Sequence, residues 1–285
     1  MIPQIIISRN AGFCMGVKKA FDNTLKLSAD YPDTCIFGDI VHNRFAVNKL
    51  EESKIRVVKK LQDILKNPLI KNVIIRAHGV SPEVELKIKE SGKNIFDLTC
   101  LRVKKVQLLT DKLTGSGKEL IIFGKESHPE VLGICGYCRG KYHIINSLEQ
   151  AGKMNFLTLN QPVLISQTTM NPGDFKKLSE FLLRNIPGLE VHNTLCSYPL
   201  NIQENALALA KNTDVMLIVG DKNSSNTKTL FDRLNAVISS YFVETAKDIP
   251  FHNLNEHMRI GIAGGASTPD FQINCIIDAV REYFL

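Results

Sequence analysis

The chain has 285 residues, 44% of them apolar and 22% charged, with a formal net charge of +6 and no tryptophan. That length accommodates two or three modest domains with real cores, and the composition excludes a disordered or fibrous protein. No apolar run is long enough to span a bilayer, and residues 1–9 lack the basic and apolar regions of a secretory signal. These features point to the cytoplasm, where thiols stay reduced and can ligate metal. Positive charge favours anionic partners. The lysine pairs are scattered, however (Lys18-Lys19, Lys59-Lys60, Lys104-Lys105, Lys176-Lys177), and do not interleave with aromatic residues, which argues against nucleic acid.

In chain order, the spacing of apolar residues predicts a helix over 17–29, strands at 34–40 and 73–76, and helices over 83–90 and 101–114. Strands follow at 119–123 and 163–166, then helices over 174–185 and 203–212. A strand at 215–219, a helix over 227–239 and a strand at 260–263 complete the series. Alternating strands and helices indicate the α/β class, with parallel sheets covered by helices. The pattern recurs three times, giving three pseudo-equivalent α/β units: 14–99, 100–195, and 196–285 together with 1–13. No linker rich in Pro, Gly or Ser separates them.

In parallel α/β folds, ligands bind beyond the carboxyl ends of the strands. The residues at the six predicted strand ends are Val41-His42-Asn43, Ala77-His78-Gly79, Ser127-His128-Pro129-Glu130, Gln167-Thr168-Thr169, Asn223-Ser224-Ser225-Asn226 and Gly265-Ala266-Ser267-Thr268. Imidazole, hydroxyl and amide groups with helix N-termini behind them form an anion pocket that needs no metal. The plainer reading of Asn223-Ser224-Ser225-Asn226 is an ordinary helix cap and turn. Glu130 is the one acid in these loops and is placed to donate or relay protons; its plainer reading is a surface carboxylate after a His-Pro turn.

Cys14, Cys100 and Cys196 each end a short polar or turn segment, and they lie 86 and 96 residues apart. One thiolate from each unit suits an iron–sulfur cluster whose fourth iron lacks a cysteine and can bind substrate. Widely spaced cysteines are also ordinary core residues, and Cys35 and Cys275 read that way. Cys135-Gly136-Tyr137-Cys138 is the only CxxC; zinc or redox work would ordinarily call for a second pair, which is missing.

Taken together, the chain resembles the family of 4-hydroxy-3-methylbut-2-enyl diphosphate reductases, also called IspH or LytB. The residues that carry the resemblance run in family order over nearly the whole chain. They are Gly12-Phe13-Cys14-Met15-Gly16-Val17, Val41-His42-Asn43-Arg44, Ala77-His78-Gly79-Val80, Asp97-Leu98-Thr99-Cys100, His128-Pro129-Glu130-Val131, Gln167-Thr168-Thr169, Cys196, Lys222-Asn223-Ser224-Ser225-Asn226 and Gly265-Ala266-Ser267-Thr268-Pro269-Asp270. The resemblance implies a trefoil of three α/β units around a central 4Fe–4S cluster held by Cys14, Cys100 and Cys196. It assigns His42, His78, His128, Thr168, Ser224, Ser225, Asn226 and Ser267 to the substrate. Glu130, Thr168 and His128 become the catalytic, proton-handling groups.

The reaction so implied is reductive removal of the substrate hydroxyl, its oxygen bound at the open iron, to give isopentenyl and dimethylallyl diphosphate. An external ferredoxin or flavodoxin would supply electrons, and the closed three-unit plan suggests a monomer. The chain departs from the family pattern at Leu101, where proline is usual, at Pro199 and Ile202, where threonine and arginine are expected, and at Gly264, where threonine is common. These departures leave open a homologue acting on a different allylic or phosphorylated substrate. A non-catalytic iron–sulfur sensor and a cluster-free phosphosugar- or nucleotide-binding protein are the readings from other classes.

Overall fold

The computed structural model describes residues 2–40 and 43–285. Twelve strands are formed among them: β1 (Gln4–Ile7), β2 (Thr34–Phe37), β3 (Arg56–Val58), β4 (Asn72–Ile75), β5 (Asn94–Asp97), β6 (Glu119–Phe123), β7 (Tyr142–Ile145), β8 (Pro162–Ser166), β9 (Glu190–Val191), β10 (Val215–Val219), β11 (Ser240–Val243) and β12 (Arg259–Gly264). The helices are α1 (Met15–Asp30), α2 (Arg44–Glu52), α3 (Leu61–Lys66), α4 (Pro82–Glu90), α5 (Leu101–Gly115), α6 (Pro129–Gly136), α7 (Leu148–Gly152), α8 (Pro172–Asn185), α9 (Tyr198–Ala210), α10 (Ser225–Asn235) and α11 (Asp270–Tyr283).

The strands form three four-stranded sheets, ordered β3-β2-β4-β5, β7-β6-β8-β9 and β11-β10-β12-β1. In each, the second strand in sequence lies outside the first, and the third and fourth follow on the other side. The last sheet repeats the order only because β1 supplies its fourth strand, pairing in parallel with β12. The six strands anticipated from sequence are the two central strands of each sheet. They are apolar along nearly their whole length because parallel strands covered on both faces have no solvent side.

Side-chain alternation shows how that cover is built. Ile121 and Phe123 of β6 pack with Leu164 of β8 against Phe175, Leu178 and Leu182 of α8. Leu120 and Ile122, pointing the other way, meet Val106 and Leu113 of α5 and Val131 and Ile134 of α6. Around β10 and β12, Ile273, Ile276, Ile277 and Val280 of α11 cover one face. Ile202 and Ala206 of α9 with Leu230 and Leu234 of α10 cover the other.

Several expectations shift in detail. The strand expected over 34–40 stops at Phe37, because Gly38 turns with φ +79° and the Arg76 guanidinium occupies the space a Cβ would need. The helix expected from 203 begins at Tyr198, since the fixed φ of Pro199 suits a first helical turn. The helix expected to reach 239 ends at Asn235, ahead of β11. Cys35 is fully buried as expected, but Cys275 is exposed: on α11 it stands off the stripe formed by Ile273, Ile276 and Ile277.

Two compact units divide the chain. One comprises Met1–Leu25, Asp39–Arg56 and Ser197–Leu285; the other comprises Lys26–Gly38 and Val57–Cys196. The first contains the sheet of β1, β10, β11 and β12. The second contains the sheet of β6 to β9 and strands β2, β4 and β5.

Candidate active site

All three sheets are parallel, so their loops of interest follow strand carboxyl ends, where ligands bind in such folds. After the first strand of each sheet come Asn43, the N-cap of α2; His128, the N-cap of α6; and Ser224, the N-cap of α10. After the third come His78, Thr168 and Ser267. After the fourth come Cys100, Cys196 and Cys14, each at or within two residues of a helix start. His42 lies outside the described residues.

In the larger segment of the second unit, Glu130 is 1% exposed and Thr168 is 5% exposed. The Thr168 backbone N–H donates to Glu130 Oε1 at 2.6 Å, and the Thr168 hydroxyl donates to Oε2 at 3.0 Å. Burial pushes the Glu130 carboxyl above its ordinary range, and the two Thr168 hydrogen bonds only partly offset this. The Thr168 carbonyl accepts the Cys196 N–H at 2.7 Å, so one residue ties the acid to the cysteine segment. In the same way, the Ala77 carbonyl, next to His78, accepts the Cys100 N–H at 3.0 Å.

His128 caps α6 through Nδ1, which accepts the Glu130 N–H at 3.2 Å. An accepting Nδ1 leaves Nε2 as the ring nitrogen available to a further partner. His78 stands edge-on to it, with ring centroids 5.3 Å apart. Gly79 must be glycine here: φ is +69°, and a Cβ would lie 2.6 Å from Gln107 Nε2. Gln107, whose amide is buried in this packing, was not signalled by the sequence.

In the first unit, Ser224 Oγ lies 2.9 Å from Ser267 Oγ and also accepts the Thr227 N–H at 3.4 Å. Asp221 shapes the turn, with Oδ1 accepting the Asn223 N–H and Oδ2 the Arg44 N–H, both at 2.8 Å. Gly265 permits a close approach of the backbone, since a Cβ there would lie 2.4 Å from Thr227 Oγ1. Ser225 and Asn226 open α10, where unpaired backbone N–H groups favour an anion. Gly12, at φ +92°, has no room for a Cβ beside the Thr268 carbonyl, and its N–H donates to the Gly264 carbonyl at 3.2 Å. The Tyr198 hydroxyl donates to the Phe13 carbonyl at 3.0 Å, one residue before Cys14. Neither Asp221 nor Tyr198 stands out in the sequence, because each acts through a partner far along the chain.

The three cysteines suit iron. Each is a partly exposed thiol, none is in a disulfide among the described residues, and each lies where a helix begins. Thiolate is the soft ligand such clusters use, and a helix N-terminus favours negative charge. The Val17 N–H donates to Cys14 Sγ at 3.4 Å, the kind of contact that orients a ligating sulfur. Among the described residues, no three His, Cys, Asp or Glu side chains converge as they would on a single metal ion. A four-iron cluster takes each cysteine on a different iron, so its ligands stand farther apart. Cys135, near the end of α6, and Cys138 just after it instead pack against the core that α5 and α6 cover, and burial raises the Cys135 thiol to about 11. A thiol held protonated to that degree is a poor nucleophile and a poor ligand.

The LytB protein family model matches residues 5–281. The chain belongs to the LytB family. A 4-hydroxy-3-methylbut-2-enyl diphosphate reductase of Caldanaerobacter subterraneus subsp. tengcongensis is 36% identical over 284 residues, covering 98% of this chain and 97% of that one. The enzyme of the same name from Clostridioides difficile is 34% identical, with 96% and 97% covered. A solved (E)-4-hydroxy-3-methyl-but-2-enyl diphosphate reductase, the terminal enzyme of the non-mevalonate pathway, superimposes with a TM-score of 0.83 at 32% identity, covering 99% of this chain and all of that one. The Plasmodium falciparum reductase shares the fold at a TM-score of 0.79 and 23% identity, with 98% and 88% covered.

Against the LytB pattern, the departures after Cys196 have structural accounts. Ile202 is 3% exposed and packs with Ala206, Met216, Ile218 and Leu230, filling core volume. Pro199 lies in the first turn of α9, where its missing N–H costs nothing. At Gly264 a Cβ would lie 3.0 Å from Ile273 Cδ1 and 3.3 Å from the Gly12 nitrogen, so the glycine allows the Cys14 loop to pack closely.

Proposed function

We propose that this protein reduces 4-hydroxy-3-methylbut-2-enyl diphosphate, removing its hydroxyl as water to give isopentenyl and dimethylallyl diphosphate. The observation that carries the reading is the buried Glu130–Thr168 pair, joined through the Thr168 carbonyl to Cys196. A sensor would have no use for an acid held in this way.

Cys14, Cys100 and Cys196 would hold a 4Fe–4S cluster, which when bound supplies electrons and a Lewis-acidic iron for the leaving oxygen. The protein's own residues do the rest. Ser224, Ser267 and the first turn of α10 bind the diphosphate with neutral donors, joined by His78 and His128, and by His42 on the family pattern. Glu130, its carboxyl raised above the ordinary range by burial, is the proton source, and the Thr168 hydroxyl, which can both accept and donate, passes the proton towards the substrate oxygen. Three units bounded at 14, 100 and 196, a cytoplasmic setting, a monomer and a ferredoxin- or flavodoxin-type donor belong to the same reading. Among the described residues, no helix is long and apolar enough to cross a membrane.

The test is anaerobic turnover by cluster-reconstituted protein with reduced methyl viologen. Formation of the two five-carbon diphosphates is the expected result. An intact cluster with no conversion and no binding of the diphosphate would overturn the reading.

A further inference from the structure

α5 begins at Cys100 and buries Val106 and Leu113 against the sheet, which leaves a long outward face. That face is unusual in two respects. Leu101 is 74% exposed and Leu108 is 57% exposed, both large apolar side chains in water. Arg102, Lys105 and Lys112 lie beside them at helical spacing, exposed. The neighbouring acids do not neutralise these cations: Asp97 pairs with Lys104 at 3.2 Å, and Asp111 pairs with Arg139 at 2.6 Å.

A shallow cavity of about 200 Å³ opens on this face, lined by Arg102, Lys105 and Leu109 of α5 and by Asn193, Thr194 and Leu195. Its two walls run directly into Cys100 and Cys196. The second wall is fixed rather than loose, because the Thr194 hydroxyl accepts the Ser166 N–H at 2.7 Å and donates to the Ser166 carbonyl at 2.6 Å. Exposed leucines ringed by Arg102, Lys105 and Lys112, which form no ion pair among the described residues, make the apolar centre and charged rim of a protein interface. The charged side chains among the described residues lining the cavity, Arg102 and Lys105, are exposed and do not enclose a small anion.

We propose that this face of α5 is the docking surface for an acidic one-electron carrier protein. The inference rests on the reductase reading. Replacing the allylic C–O bond by C–H and releasing the oxygen as water consumes two electrons and two protons. Each docked carrier is oxidised by one electron, so two encounters complete a turnover. Leu101, exposed in the first turn of α5, offers a partner an apolar contact next to Cys100. The cations steer the approach and make it sensitive to salt.

The experiment compares two donors on cluster-reconstituted protein: reduced methyl viologen, which needs no docking surface, and a reduced acidic [2Fe–2S] ferredoxin. The variants are Arg102→Glu/Lys105→Glu and, as a charge-matched control on α3 and α4, Lys66→Glu/Lys89→Glu. The expected result is a rise of about 10-fold or more in KM for ferredoxin at low salt for the first variant only, shrinking as salt is added, with methyl viologen turnover unchanged. Surface plasmon resonance should show the same loss of ferredoxin binding without turnover. An unaltered ferredoxin KM, an equal loss with the control variant, or wild-type protein that turns over with methyl viologen but not with ferredoxin would each overturn the docking face. No wild-type turnover with methyl viologen would instead overturn the reductase reading beneath it.

Discussion

Two helix starts in this molecule occupy equivalent places, each following the first strand of its sheet, yet their chemistry is opposite. At α6, Pro129 and Glu130 open the helix and the acid turns inward, where burial raises its carboxyl above the ordinary range. At α10, Ser224 to Asn226 open the helix with no acid in the first turn, and Ser224 meets Ser267 hydroxyl to hydroxyl. On the reductase reading proposed above, the same backbone device, a helix N-terminus at a strand end, would serve in one place to supply a proton and in the other to receive an anion. A single side chain in the first turn decides which.

The largest expected effect breaks this contrast from the α6 side. Glu130→Gln should lower turnover by about 10²- to 10⁴-fold while cluster content stays unchanged. It should also leave the fold as stable or more so above neutral pH. A carboxyl whose folded pKa is raised contributes stability below its ordinary pKa and loses it as pH rises through the folded value, a penalty the amide does not carry. Rates within a few-fold of wild type would remove Glu130 from proton transfer. Gly12→Ala forces a side chain into the left-handed region against the Thr268 carbonyl, and should cost about 1–3 kcal/mol with reduced iron uptake on reconstitution. Thermal unfolding and iron analysis read both effects.

Ser224→Ala attacks the α10 side. It removes a helix cap and the contact with Ser267, so it should cost about 1 kcal/mol and raise KM for the diphosphate more than it changes kcat. A kcat loss on the scale of Glu130→Gln would erase the distinction between the two helix starts. The smallest effect sharpens the comparison. Asp248 binds Lys222 at 2.7 Å and accepts from the Thr245 N–H, and its carboxyl is lowered to about 2. Its stability is therefore present above the ordinary Asp pKa and fades as pH falls through about 2. Asp248→Asn should cost about 1 kcal/mol at pH 7, with the difference from wild type vanishing in acid titrations.

How far the sequence could be read follows from burial. Strands such as β6 and β10 are buried at every position, so an unbroken apolar run discloses them. Outer strands such as β1 and β5 are short and partly exposed, and their apolar runs, Ile5 to Ile7 and Ile95-Phe96, are too brief to distinguish a strand. The cysteines and the Glu130 and Ser224 loops were legible because the same polar signal recurs at comparable points of three sheets. Tyr198, Asp221 and Gln107 were not. Each is one polar side chain among many, and its partner at Phe13, Arg44 or Gly79 is named only by the fold.

The pairing of β1 with β12 joins Gln4 to Arg259 across the sequence. On a ribosome, residues 57–196 can collapse on their own strands while synthesis continues. β1 emerges first and must wait for nearly the last strand made, keeping an open edge throughout. The Cys14 loop, anchored to the carbonyl of Gly264, therefore takes shape last, although it is translated first. If the three cysteines hold the cluster proposed above, its loading falls late, and chaperones or slowed translation should affect cluster content more than they affect the amount of soluble chain.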